Sequence, residues 1–320
     1  MKTILINPAW DAAGVSIRQA KAINKYTNWE SRHFRTIPTF GYDTDITPEN
    51  YNVEEFVELI KESDIIHFCS ATYDYNLNHM NWGFDWREVV KNKKIIFHDY
   101  CSFPGHWRER ANAKDYWEAK TKIRCDAIFS SIPQAVHIYK DCIYIPDIVD
   151  EQTEEFNINP NRLYDKIHLG HFSTGGSNNK NTDELREALN RVRNIDALIP
   201  GSSSLRNSDV INFKQNINLG FDALWREYHG MTTVENLALG IPTMCNISEE
   251  FFPSFNEYLG TDFNPFEITK TIEDIVKCLE YYSNNLDKLK ERSIEIRKFM
   301  EEHWSANKVI NKMVKEYEKL

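Results

Sequence analysis

Two glutamates, Glu227 and Glu235, stand eight positions apart in the run REYHGMTTVENLALGIPTM, from Arg226 to Met244. Gly230 lies between them, and the segment closes on Gly240-Ile241-Pro242. Glycine followed closely by proline ends a helix, so Thr232 to Leu239 is expected to be helical. A helix N-terminus offers unpaired N–H groups and a partial positive charge, which suits a diphosphate. Gly230 lets the backbone turn tightly and approach a ligand. A carboxylate before such a turn can accept hydrogen bonds from sugar hydroxyls, and one a turn into the helix can accept them from a ribose. Thr232-x-x-Glu235 is equally a capping box, which needs no ligand. The two roles can use different oxygens of Glu235.

Other residues could serve the same chemistry. The stretch from Ile167 to Leu189, which opens IHLGHFSTGGSNNKNTDEL, reads as strand, polar loop and helix. Its Ser173, Thr174, Gly175 and Gly176 supply small donors and backbone N–H groups, and Lys180 supplies a cation just before the helix. A Gly/Ser/Asn loop with a solvated lysine is the plain alternative. Near the start, NPAWDAAGVSIRQA places Gly14 between a strand and an amphipathic helix, with Arg18 one turn further on. In IIFHDY, His98 and Asp99 end an apolar strand, and open parallel sheets bind ligands at the carboxyl ends of their strands. His67, inside IIHFC, reads as core, while His106 and Trp107 lie in the loop after His98.

The Glu227–Gly230–Glu235 spacing with its closing G-x-P resembles the signature of retaining GT-B glycosyltransferases, particularly family 4. The resemblance implies two Rossmann-like, doubly wound α/β domains facing across a cleft, the C-terminal helix crossing back to the N-terminal domain. It gives Glu227 to the donor sugar, Glu235 to the ribose, and Lys180 to the donor diphosphate. Gly230, Met231 and Thr232 would meet the donor at the helix start, with Ser173 and Thr174 from the preceding loop. Gly14 matches the family's N-terminal glycine loop, which often has two glycines where this chain has Ala13-Gly14. His98 matches a histidine that contacts the donor sugar, so Glu227, Lys180 and His98 form the expected catalytic set. IYIPDIVD, Ile143 to Asp150, resembles the family's exit into the interdomain linker, with Asp147 replacing the usual Asn. The family's arginine before the lysine is missing, since none lies between Lys166 and Lys180. Transfer of a sugar from a nucleotide donor (UDP- or GDP-linked) to an acceptor hydroxyl follows, with retained configuration and neither metal nor cofactor.

The elements that must hold these residues alternate. Thr3 to Ile6, Asp64 to Phe68, Lys94 to Phe97, Ala127 to Phe129 and Ile143 to Ile145 read as strands, with helices at Gly14 to Tyr26 and Val53 to Ile60. Continuous apolar strands separated by helices imply parallel sheets covered on both faces. After the acidic stretch Glu151 to Asp165, taken as a linker, strands at Ile167 to Phe172, Ile195 to Ile199, Ala223 to Trp225 and Thr243 to Cys245 alternate with helices at Thr182 to Val192 and Thr232 to Leu239. Ile268 to Leu320 reads as helical throughout. The expected domains are 1–150, completed by 302–320, and 160–301.

A chain of 320 residues accommodates two domains of about 150 residues each. The net charge of −10 disfavours non-specific attraction to nucleic acid or anionic membranes. The six cysteines form no CxxC pair, so reduced thiols in a cytoplasmic protein are expected. No run is long enough for a membrane span, which leaves only peripheral membrane contact. Three rivals share the fold: a nucleotide-sugar epimerase, a viral-type DNA-base glycosyltransferase, and a non-catalytic nucleotide-binding protein.

Overall fold

The computed structural model describes residues 1–320 apart from 11–12, 38–39, 44, 48, 51, 70–81, 101–112, 138, 140, 174–179, 201–204 and 226. The chain divides into two compact units, one of residues 1–148 with 306–320 and one of residues 149–305. Each is described by itself.

The first unit runs β1 (Lys2–Trp10), α1 (Val15–Tyr26), β2 (Glu30–Ile37), α2 (Val53–Glu62), β3 (Ile65–Cys69), α3 (Trp86–Val89), β4 (Lys94–Asp99), α4 (Ala113–Thr121), β5 (Ala127–Ser130) and β6 (Cys142–Tyr144). The six strands form a parallel sheet in the order β2-β1-β3-β4-β5-β6. β3 is buried along its whole length, as is β4 after its first residue, which is why both read as unbroken apolar runs. β2 escapes the sequence reading because polar and charged residues interrupt it: Arg35 is fully buried, and Arg32 pairs with Asp45 at 2.7 Å.

The second unit runs β7 (Ile167–Gly170), α5 (Thr182–Leu189), β8 (Ile195–Leu198), α6 (Asn207–Lys214), β9 (Leu219–Phe221), α7 (Met231–Ala238), β10 (Thr243–Cys245), α8 (Phe252–Leu259), β11 (Glu267–Ile268), α9 (Ile272–Ser283) and α10 (Leu286–Glu302). Its parallel sheet has the order β11-β10-β9-β7-β8. Ile167 and Leu169 of β7, Leu219 and Phe221 of β9, Leu185 of α5 and Ile275 and Leu279 of α9 fill its core. Each such side chain contributes about 1.5–3 kcal/mol by leaving water.

The expected strand at Ala223 to Trp225 lies instead at Leu219–Phe221. Gly220 at its centre hides it, because glycine reads as a strand breaker. Here glycine is required: a Cβ would fall 2.3 Å from the Asn236 side chain of α7. The acidic stretch 151–165 belongs to the second unit, where Glu151 and Phe156 are buried.

The long C-terminal helical stretch is three helices, the third being α11 (Ala306–Tyr317). Its stripe of Val309, Ile310, Met313, Val314 and Tyr317 is buried, a helical spacing. α11 packs on α1 in the first unit. Among the described residues no helix is long and apolar enough to cross a membrane.

In both sheets the strand order reverses direction, between β1 and β3 in the first and between β7 and β9 in the second. Such switch points open a crevice at the carboxyl ends of the strands. The loops leaving β7 and β9 carry most of the candidate residues.

Candidate nucleotide-sugar site

In the second unit, Lys180 ends the loop after β7 and Asp222 follows β9. Their side chains form an ion pair, with Asp222 almost fully buried. The other oxygen of Asp222 accepts the Gly230 N–H at 2.7 Å and the Thr233 hydroxyl at 3.0 Å. One carboxylate thus ties together the Lys180 loop, the turn before α7 and the first turn of α7. Asn181 adds a second tie: its Oδ1 accepts the N–H groups of Leu224 at 2.9 Å and Trp225 at 3.1 Å. A third runs through His171, whose Nδ1 faces the Phe221 carbonyl at 3.1 Å. That nitrogen must donate, which leaves Nε2 to accept from the Thr182 hydroxyl at 2.8 Å. Burial holds the His171 pKa below the usual histidine range.

α7 starts at Met231 with Gly230 as its extended N-cap residue, and no side chain caps it. The Thr232–Glu235 capping box therefore does not form. Thr232 already lies inside the helix, and the Glu235 carboxylate turns away to a lysine. The N–H groups of Met231 and Thr232 have no acceptor among the described residues, and both residues are half-buried. Two amide donors thus remain at a helix N-terminus, beside Lys180's partner Asp222. The helix closes on Gly240 in the left-handed region, φ 66°, with the Ile241 N–H bonded to the Asn236 carbonyl at 2.8 Å.

Every residue from Thr233 to Ala238 is buried, so Glu235 is a carboxylate within a helix buried nearly all round. Such a charge is costly unless paired. Lys214, wholly buried at the end of α6, supplies the partner at 2.7 Å from Oε2. Asn207, the first residue of α6, donates to Oε1 at 3.0 Å.

Glu227 is half-buried in the turn before α7, its carbonyl held by the Ser248 N–H at 3.1 Å. Ser173 is half-buried after β7. Thr174, Gly175 and Gly176 lie outside the described residues, as do His106 and Trp107. Asp222 and Lys214 are missing from the sequence reading. Asp222 directly follows a strand, a signal lost when the strand was placed after it; Lys214 looks like any surface lysine of a short helix.

In the first unit, Gly14 caps α1 with φ 63°, and a Cβ there would strike the Tyr42 ring at 2.5 Å. Backbone conformation and close packing both demand glycine. Arg18 lies over the Tyr42 ring, 5.4 Å from its centroid. His98, at the end of β4, is fully buried. Its Nδ1 meets His67 Nε2 at 3.1 Å, its Nε2 lies 3.4 Å from the Ser131 hydroxyl, and His67 continues to the Tyr317 hydroxyl. Burial pushes His67 down to about 3, and burial together with the neighbouring His67 holds His98 well below its ordinary value. Both imidazoles are neutral at pH 7. Lys180, Glu227, Glu235, Gly230, Met231, Thr232 and Ser173 belong to the second unit, and Gly14 and His98 to the first.

Neither protein-family models nor curated proteins match the sequence. The fold does have counterparts. It is similar to Anabaena HepE in complex with UDP and glucose, with a TM-score of 0.69, 11% identity and full coverage of both chains. It is similar to a sucrose-phosphate synthase from Thermosynechococcus elongatus, with a TM-score of 0.67 and 12% identity over 100% of this chain and 99% of the other. It is also similar to an alpha-glucosyltransferase in complex with UDP-glucose and DNA containing an abasic site, with a TM-score of 0.63, 11% identity and 98% of each chain covered. At these identities the likeness is one of fold, and the two parallel-sheet units of this chain are those of the GT-B architecture.

Proposed function

We propose that the protein is a glycosyltransferase that moves a sugar from a nucleotide-sugar donor, UDP- or GDP-linked, to an acceptor hydroxyl. The observation that carries this reading is the tie that Asp222 makes between Lys180 and the α7 N-terminus at the switch point, with Glu235 one turn into the same helix. The fold-level likeness to a protein bound to UDP and glucose supports it.

In the proposed complex the diphosphate lies against the amides of Met231 and Thr232, where backbone donors and the helix field stabilise the negative charge of the leaving nucleotide. Lys180 shares its ammonium between Asp222 and a phosphate oxygen. Glu227 accepts hydroxyls of the transferred sugar, Glu235 those of the ribose, and Ser173 and Thr174 add contacts from the loop after β7. Gly14, in the first unit, is assigned to the donor by its match to the family's N-terminal glycine loop. His98, neutral and fixed by His67, is assigned to the donor sugar by its place at a strand's carboxyl end. Transfer with retention, without metal or organic cofactor, is part of the same proposal, as is a cytoplasmic setting.

A screen of nucleotide sugars for binding, hydrolysis and transfer tests it, repeated with Lys180→Ala and Glu227→Gln. The wild type is expected to bind at least one nucleotide sugar. Lys180→Ala is expected to lower kcat about 100-fold, the scale of one lost transition-state donor. No binding of any nucleotide sugar refutes the reading. Product formed from donor alone would indicate an epimerase, and binding without turnover a non-catalytic protein.

A second acceptor class has one observation in its favour, the structural neighbour bound to DNA. The net charge of −10 opposes it. Titration with duplex DNA over a range of salt separates DNA from small glycan or lipid-linked acceptors.

A further inference from the structure

We infer that Lys214 is a positioning residue that sets the preference of the donor site for a ribose over a deoxygenated sugar through Glu235, an inference that rests on the function proposed above. Three observations lead to it. Lys214 has no exposed surface, so its charge was not retained for solubility. Its ammonium is held from several sides: 2.7 Å from Glu235 Oε2, 3.3 Å from the Thr232 carbonyl and 5.8 Å from the Phe172 ring centroid. Asn207 and Lys214 lie seven residues apart on α6, two turns and one helix face. That face grips one carboxylate at both ends, Asn207 on Oε1 and Lys214 on Oε2.

A carboxylate offers about four lone-pair directions. The two that α6 occupies fix the plane of the Glu235 group. A ribose presents two hydroxyl donors on adjacent carbons, and a carboxylate locked in one plane discriminates for that arrangement. Without Lys214 the buried carboxylate would take up a proton or turn to other donors. Either change removes an acceptor from the ribose while leaving the diphosphate contacts of Lys180, Met231 and Thr232 in place. Lys214 therefore touches no substrate and acts through Glu235.

The test is calorimetric titration of UDP or GDP, whichever the wild type binds more tightly, against its 2′,3′-dideoxy counterpart. Wild type is expected to prefer the ribonucleotide roughly tenfold or more, the worth of a hydrogen bond to a charged group. In Lys214→Met the preference is expected to fall to within about threefold of unity, through loss of ribonucleotide affinity and not of dideoxynucleotide affinity. Glu235→Gln should do the same, and the double variant no more than either single change. Asn207→Ala, at a half-buried position, should reduce the preference to an intermediate value and decides the matter if Lys214→Met does not fold. Lys214→Met with the wild-type preference overturns the inference. So does equal loss of both nucleotides, which would make the pair a fold-stabilising contact only, or, where that variant does not fold, an unchanged preference in Asn207→Ala. A wild type that binds the ribonucleotide without preferring it overturns this inference and leaves the proposed function standing. A wild type that binds neither nucleotide overturns both.

Discussion

The two units share a parallel-sheet plan and bury opposite chemistry around it. In the second, charge is buried and neutralised in pairs: Lys180 with Asp222, and Lys214 with Glu235. In the first, the corresponding depth holds a neutral chain, His98 to His67 to Tyr317, with Phe129 edge-on to both histidines. The sheet supplies the place, and the residues that end each strand or follow it supply the chemistry. A paired charge can be re-shared with an incoming ion at little cost. A buried neutral imidazole resists charge, and here its ring nitrogens already face neighbouring side chains.

The contrast can be broken most sharply at Asp222. Asp222→Ala strands the Lys180 ammonium together with the Gly230 N–H and the Thr233 hydroxyl. A loss of about 3–5 kcal/mol is expected, the scale of a buried pair broken from one side, read by urea denaturation. A loss below 1 kcal/mol would mean that Lys180 reaches water and that the second unit does not bury its charge.

The first unit should instead show its character in acid. An unfolded histidine takes a proton below about pH 6.5, whereas folded His67 does so only near 3. The unfolded state therefore binds more protons across that window, so His67 and His98 favour folding above pH 6.5 and lose that contribution as pH falls toward 3. His67→Gln is expected to flatten the stability profile between pH 6 and 5 by about 1 kcal/mol per pH unit. An unchanged slope, followed by hydrogen exchange in the first unit, would show that His67 is charged or wet.

The glycines sharpen the comparison at a smaller scale. Gly220→Ala in the second unit and Gly14→Ala in the first each drive a Cβ into a neighbour, and Gly14 adds a left-handed φ. Losses of about 1–3 kcal/mol are expected for each, measured by thermal unfolding. At Gly14 the loss should be accompanied by displacement of Tyr42, visible as a change in near-ultraviolet dichroism. Smallest of all, Arg191→Ala removes an exposed bidentate pair with Glu273 at 2.7 Å and should leave the Tm unchanged within error.

Apolar runs and helix punctuation made much of this architecture legible. The segments around Ile66, Ile96 and Phe129 read as strands because they are buried on both faces. Gly240 and Pro242 marked where α7 stops. The pairings that define the candidate site were not legible, since their partners lie 42 residues apart for Lys180 with Asp222 and 21 for Lys214 with Glu235. No local period encodes such contacts. The capping box misled because its spacing is local and sufficient in isolation; a buried lysine from another helix outcompeted it for the Glu235 carboxylate. β2 was hidden for a related reason, its polar residues being satisfied by tertiary partners such as Asp45.

The return of α11 to the first unit has a consequence for biosynthesis. The second unit is continuous, residues 149–305, whereas the first needs residues 306–320 to complete it. A ribosome therefore makes the entire second unit before it makes the helix that packs on α1 and brings Tyr317 to His67. The unit that starts first must wait, with the α1 face uncovered, while the later one can already close its core. Chains ending at residue 305 and held on the ribosome by a spacer long enough to clear the exit tunnel should expose the first unit to protease while protecting the second.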